Sequence, residues 1–218
     1  YAVTIAAQPS NPTQTCAVTN GSGTIAGANV TNVGVTCTTN SYTVGGSVSG
    51  LGGSGLALSL NGGASLPISA NGAFTFPASV ASGATYAVTI AAQPSGPAQV
   101  CTVSNGSGTI AAANVTNVNV TCVTRSFTVG GTVSGLIGSG LALKLNGGAS
   151  LPVASNGAFT FPTALADGTG YTVTVAAQPG GKACTVTNGS GTIAGANVSN
   201  VGVVCSDRIF ANGFEVSP

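Results

Sequence analysis

The sequence predicts an all-β protein of tandem antiparallel β-sandwich domains, and three observations carry that expectation. The first is composition. Of 218 residues 34 are Gly, and charged residues make up 3%, against about 25% in an ordinary globular chain. Gly, Val, Thr, Ser and Asn dominate, while the strong helix formers Glu, Lys, Arg and Met are scarce or missing. The second is an internal repeat, since Tyr1, Tyr86 and Tyr171 open near-identical segments spaced by 85 residues. The third is a strong alternation of apolar with small or polar residues, the period-two signature of half-buried strands.

The same composition narrows the function classes. A hydrophobic content of 43% and a mean hydropathy of +0.47 oppose disorder. Four Lys+Arg and a net charge of +1 cannot displace counterions from phosphates, so no nucleic acid partner is expected. His, Trp and Met are absent, which removes imidazole-based nucleophile activation and imidazole metal ligands. Apolar runs are short beside the roughly 20 residues that a membrane span needs, so none is expected. With no initiator Met and no leader, the chain reads as a processed or truncated piece.

Repeat boundaries follow from aligning the copies. Leu60-Asn-Gly-Gly-Ala-Ser-Leu-Pro67 returns at 145–152, Asn71-Gly-Ala-Phe-Thr-Phe-Pro77 at 156–162, and Asn20-Gly-Ser-Gly-Thr-Ile-Ala26 at 105 and 188. Residues 40–123 and 124–206 are therefore whole copies, 1–39 matches only the last part of one, and 207–218 stands apart as a tail. A period this long suits a small domain rather than a solenoid turn. Half a domain does not bury its own apolar face, so the first 39 residues are expected to be completed by preceding sequence or, less favoured, by another chain.

Within residues 40–123 the strands can be read in order. Leu56, Leu58 and Leu60 alternate first, then Phe74 and Phe76, then Tyr86, Val88 and Ile90. Cys101 and Val103 follow, then Val118, Val120 and Cys122. Asn-Gly, Gly-Gly and Ser-Gly pairs lie between these runs, where Gly accepts positive φ without steric cost. About seven short strands in such a span form a sandwich. Short links around 38–41 and 123–125 predict stiff, rod-like tandem domains.

The six cysteines fall as Cys16/Cys37, Cys101/Cys122 and Cys184/Cys205. Fifteen connectivities are open in principle, but one pair in every repeat favours pairing within the repeat. An antiparallel register places Cys101 opposite Cys122 with Val103 opposite Val120, and Cys184 opposite Cys205 with Val186 opposite Val203. Zinc sites prefer cysteines two to four residues apart, often with His, which opposes a metal reading. Paired cysteines imply an oxidising compartment.

The run Tyr42-Thr-Val-Gly-Gly-Ser-Val-Ser-Gly50, followed by Gly-Leu-Ala-Leu-Ser-Leu and Asn-Gly-Ala-Phe-Thr-Phe, resembles the immunoglobulin-like and prealbumin-like modules of bacterial secreted adhesins and fibres. The resemblance spans residues 1–206 and implies immunoglobulin-like domains on the cell surface or outside the cell. Some relatives lock each domain with a Lys–Asn isopeptide bond. Here Lys144 is Ser59 in the other copy and no carboxylate recurs, so the disulfide is expected to take that role. The ending Asp207-Arg-Ile-Phe-Ala-Asn-Gly-Phe-Glu-Val-Ser-Pro218 is similar to a short C-terminal ending of secreted Gram-negative proteins. Its Ile209, Phe210, Phe214 and Val216 suit a tail that docks onto a neighbouring subunit or serves as a sorting segment.

Other candidate chemistry recedes on inspection. Asp167 lies in an Asp-Gly turn and Asp207 and Glu215 in the tail, all read as solvated charge rather than an acid/base pair. Gly52-Gly-Ser-Gly55 lacks the Lys and helix of a phosphate loop. Tyr86 and Phe76 read as core rather than as sugar-stacking rings. Asn20, Asn29, Asn105, Asn114, Asn188 and Asn197 sit in Asn-x-Ser/Thr, read as turns, with glycan attachment left open. No catalytic residue, cofactor or metal is expected. Near-zero net charge promotes association, and edge strands without Lys do not block pairing. The sequence therefore predicts a self-associating subunit of an extracellular filament, fibre or sheath, with the stalk of an adhesin or secreted enzyme as the alternative.

Overall fold

The computed structural model describes residues 1–207, and among them every regular element is a β-strand. The chain divides into two compact units, Tyr1–Ser95 with Gln99–Val123, and Gly96–Ala98 with the chain from Thr124 onward.

The first unit holds β1 (Gln14–Thr19), β2 (Gly34–Thr39), β3 (Ser41–Ser49), β4 (Leu56–Leu60), β5 (Ser65–Ile68), β6 (Gly72–Ala81), β7 (Thr85–Ala92), β8 (Gln99–Ser104), β9 (Ser107–Thr109) and β10 (Val115–Thr124). From β3 onward these strands make two four-stranded sheets, ordered β6-β3-β10-β8 and β5-β4-β7-β9. Alternation puts Val44, Val48, Phe74, Phe76, Val118 and Val120 on one inner face, and Leu56, Leu58, Leu60, Tyr86 and Val88 on the other; all are buried. Phe74 and Phe76, two apart on the same face, meet edge-to-face with centroids 5.8 Å apart. The β4–β5 turn is set by Asn61 and Gly62, whose φ values of 51° and 68° are those of a mirror-image hairpin turn.

The second unit repeats the plan with β11 (Ser126–Phe127), β12 (Val129–Ser134), β13 (Leu141–Leu145), β14 (Ser150–Val153), β15 (Gly157–Thr160), β16 (Leu165–Ala166), β17 (Gly170–Ala177), β18 (Lys182–Thr187), β19 (Ser190–Thr192) and β20 (Val198–Asp207). Its sheets run β15-β12-β20-β18 and β14-β13-β17-β19, with β11 and β16 as a separate pair. The fold is that of tandem β-sandwiches, each with its own disulfide.

One feature departs from the antiparallel expectation. β3 and β10 pair in parallel, as do β12 and β20. Apolar alternation reports which face a residue takes but not which way its strand points, so the first and last strands of a repeat carried no sign of this. Their approach is close. A Cβ added at Gly46 would fall on the carbonyl oxygen of Val118, and one at Gly131 on that of Val201. β9 and β19 are further strands that apolar patterning did not mark, because Ser-Gly-Thr exposes every residue.

Candidate functional site

Each repeat places its cysteines directly opposite one another on neighbouring antiparallel strands. Cys16 faces Cys37 and Cys184 faces Cys205, and the bridges are Cys16–Cys37, Cys101–Cys122 and Cys184–Cys205, each with Cα atoms 3.9 Å apart. No described cysteine is free. A glutamine brackets each bridge from the outside. Cys101 N donates to Gln93 Oε1 at 2.7 Å, and Gln93 Nε2 donates to Cys101 O at 3.1 Å. Gln8 treats Cys16 in the same way, and Gln178 treats Cys184. β8 and β18 lie at sheet edges, where backbone groups facing outward have no strand to meet. The carboxamide, one acceptor beside one donor, supplies what a neighbouring peptide unit would. A Gln-Pro dipeptide ahead of each first cysteine was the available sequence signal for this bracket.

A second recurring site lies at the turn after the β6 region. In the first unit, Ser82 Oγ accepts from Thr13 N at 3.1 Å and donates to Ala111 O at 2.7 Å. Thr13 Oγ1 meets the Tyr42 hydroxyl at 3.1 Å, and Asn40 N donates to Thr13 O. Residues 1–39 are thereby tied to the sandwich that follows them. In the second unit Asp167 occupies the position of Ser82. Its Oδ2 accepts from Ala98 N at 2.6 Å and its Oδ1 from Gly195 N. Asp167 is thus buried and bonded, not a solvated turn charge, because its partners lie 69 residues upstream and 28 downstream. The N–H groups of Ala98 and then Gly195 hold its carboxyl below the usual 3.8, aided by Gly168 N–H and the Arg125 charge and opposed by burial.

The third site is the open face of residues 1–39. Ile25 is 67% exposed, whereas its repeat equivalents Ile110 and Ile193 are each 1% exposed. Val35 is 57% exposed, and its equivalents Val120 and Val203 are 1% and 0%. Tyr1, Val3, Ile25, Asn29, Val30 and Val33 border a cavity of about 390 Å³ there. The apolar alternation is that of the intact copies, but here these side chains are exposed.

The remaining residues singled out by sequence have structural roles. Asn20, Asn105 and Asn188 take positive φ and donate from Nδ2 to the carbonyls of Asn32, Asn117 and Asn200. Asn114 and Asn197 accept from Thr43 N and Thr128 N. Phe76 and Tyr86 are buried in the core. Lys182 Nζ and Asp207 Oδ1 form an ion pair at 2.7 Å. A neutral cleft of about 290 Å³ in the second unit is lined by residues including Leu145, Leu151, Phe161 and Leu165. Among the described residues no three His, Cys, Asp or Glu side chains gather as metal ligands, and no helix is long and apolar enough to cross a membrane. The tail residues Ile209, Phe210, Phe214 and Val216 lie outside the described residues.

No family model matches the chain, and no curated protein matches it. Among solved structures it is similar to the Bacillus anthracis TIE protein, with 11% identity and a TM-score of 0.45, over 78% of this chain and 37% of that one. The chain thus spans well under half the length of that protein.

Proposed function

We propose that this chain is a structural, non-enzymatic segment of an extracellular bacterial protein, self-associating through neutral β surfaces into a filament, fibre or sheath. The observation that carries the reading is the clamp, a cross-strand disulfide with its glutamine bracket, present in all three copies with no described thiol left free. Bridges of this kind persist in oxidising surroundings, which supports a place outside the cytoplasm. The near-absence of charge leaves little repulsion to keep copies apart. A Gram-negative source rests on the resemblance of the tail. Negative-stain microscopy of the purified chain at neutral pH tests the reading, with long ordered fibres expected. Isolated rods at all concentrations would overturn self-association and favour the stalk of an adhesin or secreted enzyme. Deleting residues 207–218 tests the tail, and unchanged assembly would exclude it from docking.

A further inference from the structure

We propose that Asn105 and Asn188 are self-modification sites, where water converts the side-chain amide to an acid through a cyclic imide without any enzyme. Asn is among the thermolabile residues, and most so before Gly, whose bare Cα leaves its N–H open to approach the amide carbon. Asn-Gly recurs along the chain, at Asn61, Asn71, Asn105, Asn146, Asn156 and Asn188 among other places. The structure sorts these dipeptides into two groups by how firmly each carboxamide is held.

One group is held at both ends. Leu51 N donates to Asn71 Oδ1 at 2.8 Å, and Asn71 Nδ2 donates to Leu51 O at 2.9 Å. Asn156 holds Leu136 with the same two distances. Asn61 Oδ1 accepts from Ala87 N and its Nδ2 donates to Thr85 O, as Asn146 does with Thr172 and Gly170. Asn105 and Asn188 are held at one end only, by a 3.2 Å bond from Nδ2 to the carbonyls of Asn117 and Asn200. Their Oδ1 atoms have no hydrogen-bond partner among the described residues, and Asn20 shares the single bond. Asn105 and Asn188 are exposed to water. Each also precedes a strand, β9 or β19, of three exposed residues at the outer edge of its sheet, where local opening is cheap.

The reactive neighbour is fixed by packing. A Cβ at Gly106 would lie 2.7 Å from Val103 Cγ1, and one at Gly189 2.6 Å from Val186 Cγ1. The φ values of 54° and 52° at the residues before them favour Asn. When the turn opens, Gly106 N attacks Asn105 Cγ, the Cγ–Nδ2 bond breaks, and ammonia leaves with the glycine proton. Water then opens the imide. Cleavage at Cγ gives aspartate, and cleavage at the main-chain carbonyl carbon gives isoaspartate, with one extra carbon in the backbone. Either product loses the donor that met Asn117 O and sets a carboxylate against that carbonyl. Isoaspartate also displaces β9 from β7, where Gly108 pairs with Tyr86 and lies against its ring. Each conversion adds one negative charge, so two take the net charge from +1 to −1.

The test incubates the full 218-residue chain, bridges intact, in neutral and mildly alkaline buffer. Products are mapped by mass spectrometry that separates aspartate from isoaspartate. Asn105 and Asn188 should convert at least about fivefold faster than Asn61, Asn71, Asn146 and Asn156, the factor that one further net hydrogen bond supplies. In urea with the bridges reduced, all these dipeptides should react at similar rates, which assigns the native order to the fold. Isoelectric focusing should show a ladder of more acidic species, and the amides of residues 85–87 should exchange faster in the converted chain. Asn105→Gln should silence that site and leave Asn188 reacting as before. Equal native rates across the dipeptides, faster conversion of the doubly held group, or aspartate without isoaspartate each overturns the proposal. None of these readouts depends on whether fibres form.

Discussion

Gln93 and Cys101 are joined twice, the carboxamide oxygen accepting from Cys101 N at 2.7 Å and its nitrogen donating to Cys101 O at 3.1 Å. The side chain thus stands where an outer strand would, on the edge that β8 leaves open. Two neutral hydrogen bonds to a buried residue contribute about 1–3 kcal/mol together. Gln93→Ala should lower the urea midpoint of the first unit accordingly, and the Cys101 amide should exchange faster. An unchanged midpoint would mean that water replaces the bracket without loss.

The disulfides act on the unfolded chain. Each closes a loop with a sequence separation of 21, for which chain entropy predicts about 3 kcal/mol. The pair Cys101→Ala with Cys122→Ala should cost that much, read by denaturant unfolding in non-reducing buffer. Reductant added to the variant should then act only through the remaining Cys16–Cys37 and Cys184–Cys205 bridges.

Repeat-equivalent isoleucines should behave in opposite ways. Ile110 is 1% exposed and Ile25 67%. Ile110→Ala should cost about 2–5 kcal/mol by leaving a core cavity, while Ile25→Ala should stay within about 0.5 kcal/mol. Thermal unfolding of the two variants side by side measures the difference. Equal losses would mean that the open face is already covered in solution.

Acid should act on the second unit through Asp167. Its folded carboxyl titrates below 3.8, held there first by the Ala98 and Gly195 N–H groups. Ionised Asp167 therefore adds stability that is complete above the unfolded value and fades as pH falls through the lower folded one. Arg125 is the charged group acting on it. Asp167→Ser, which copies Ser82, should flatten the pH dependence of unfolding below about pH 4. Retention of the full acid slope in this variant would point to another group.

Much of this architecture was legible because small repeats leave three readings of one pattern. Alternation marked Leu56, Leu58 and Leu60 as one inward face, and equal cysteine spacing set the register that opposes Val186 to Val203. Direction was not legible. Nothing in Val44 or Val118 distinguishes a parallel neighbour from an antiparallel one, since both strands bury the same face. The Asp167 cradle was hidden for a different reason, because a carboxylate in an Asp-Gly turn looks solvated until its distant N–H donors are known. The glutamine brackets were visible only as a recurring dipeptide. That residues 1–39 match only the last part of a copy was legible from the repeat alignment.

The parallel pairing of β3 with β10 bears on how a repeat responds to tension. The chain enters that sandwich near Ser41 and leaves it near Thr124, so pulling its ends apart slides the two strands lengthwise past each other. All the hydrogen bonds between them are then strained at once, instead of being peeled one by one. Behind them the Cys101–Cys122 bridge keeps residues 102–121 from paying out, so a repeat that yields lengthens less than its residue count would allow.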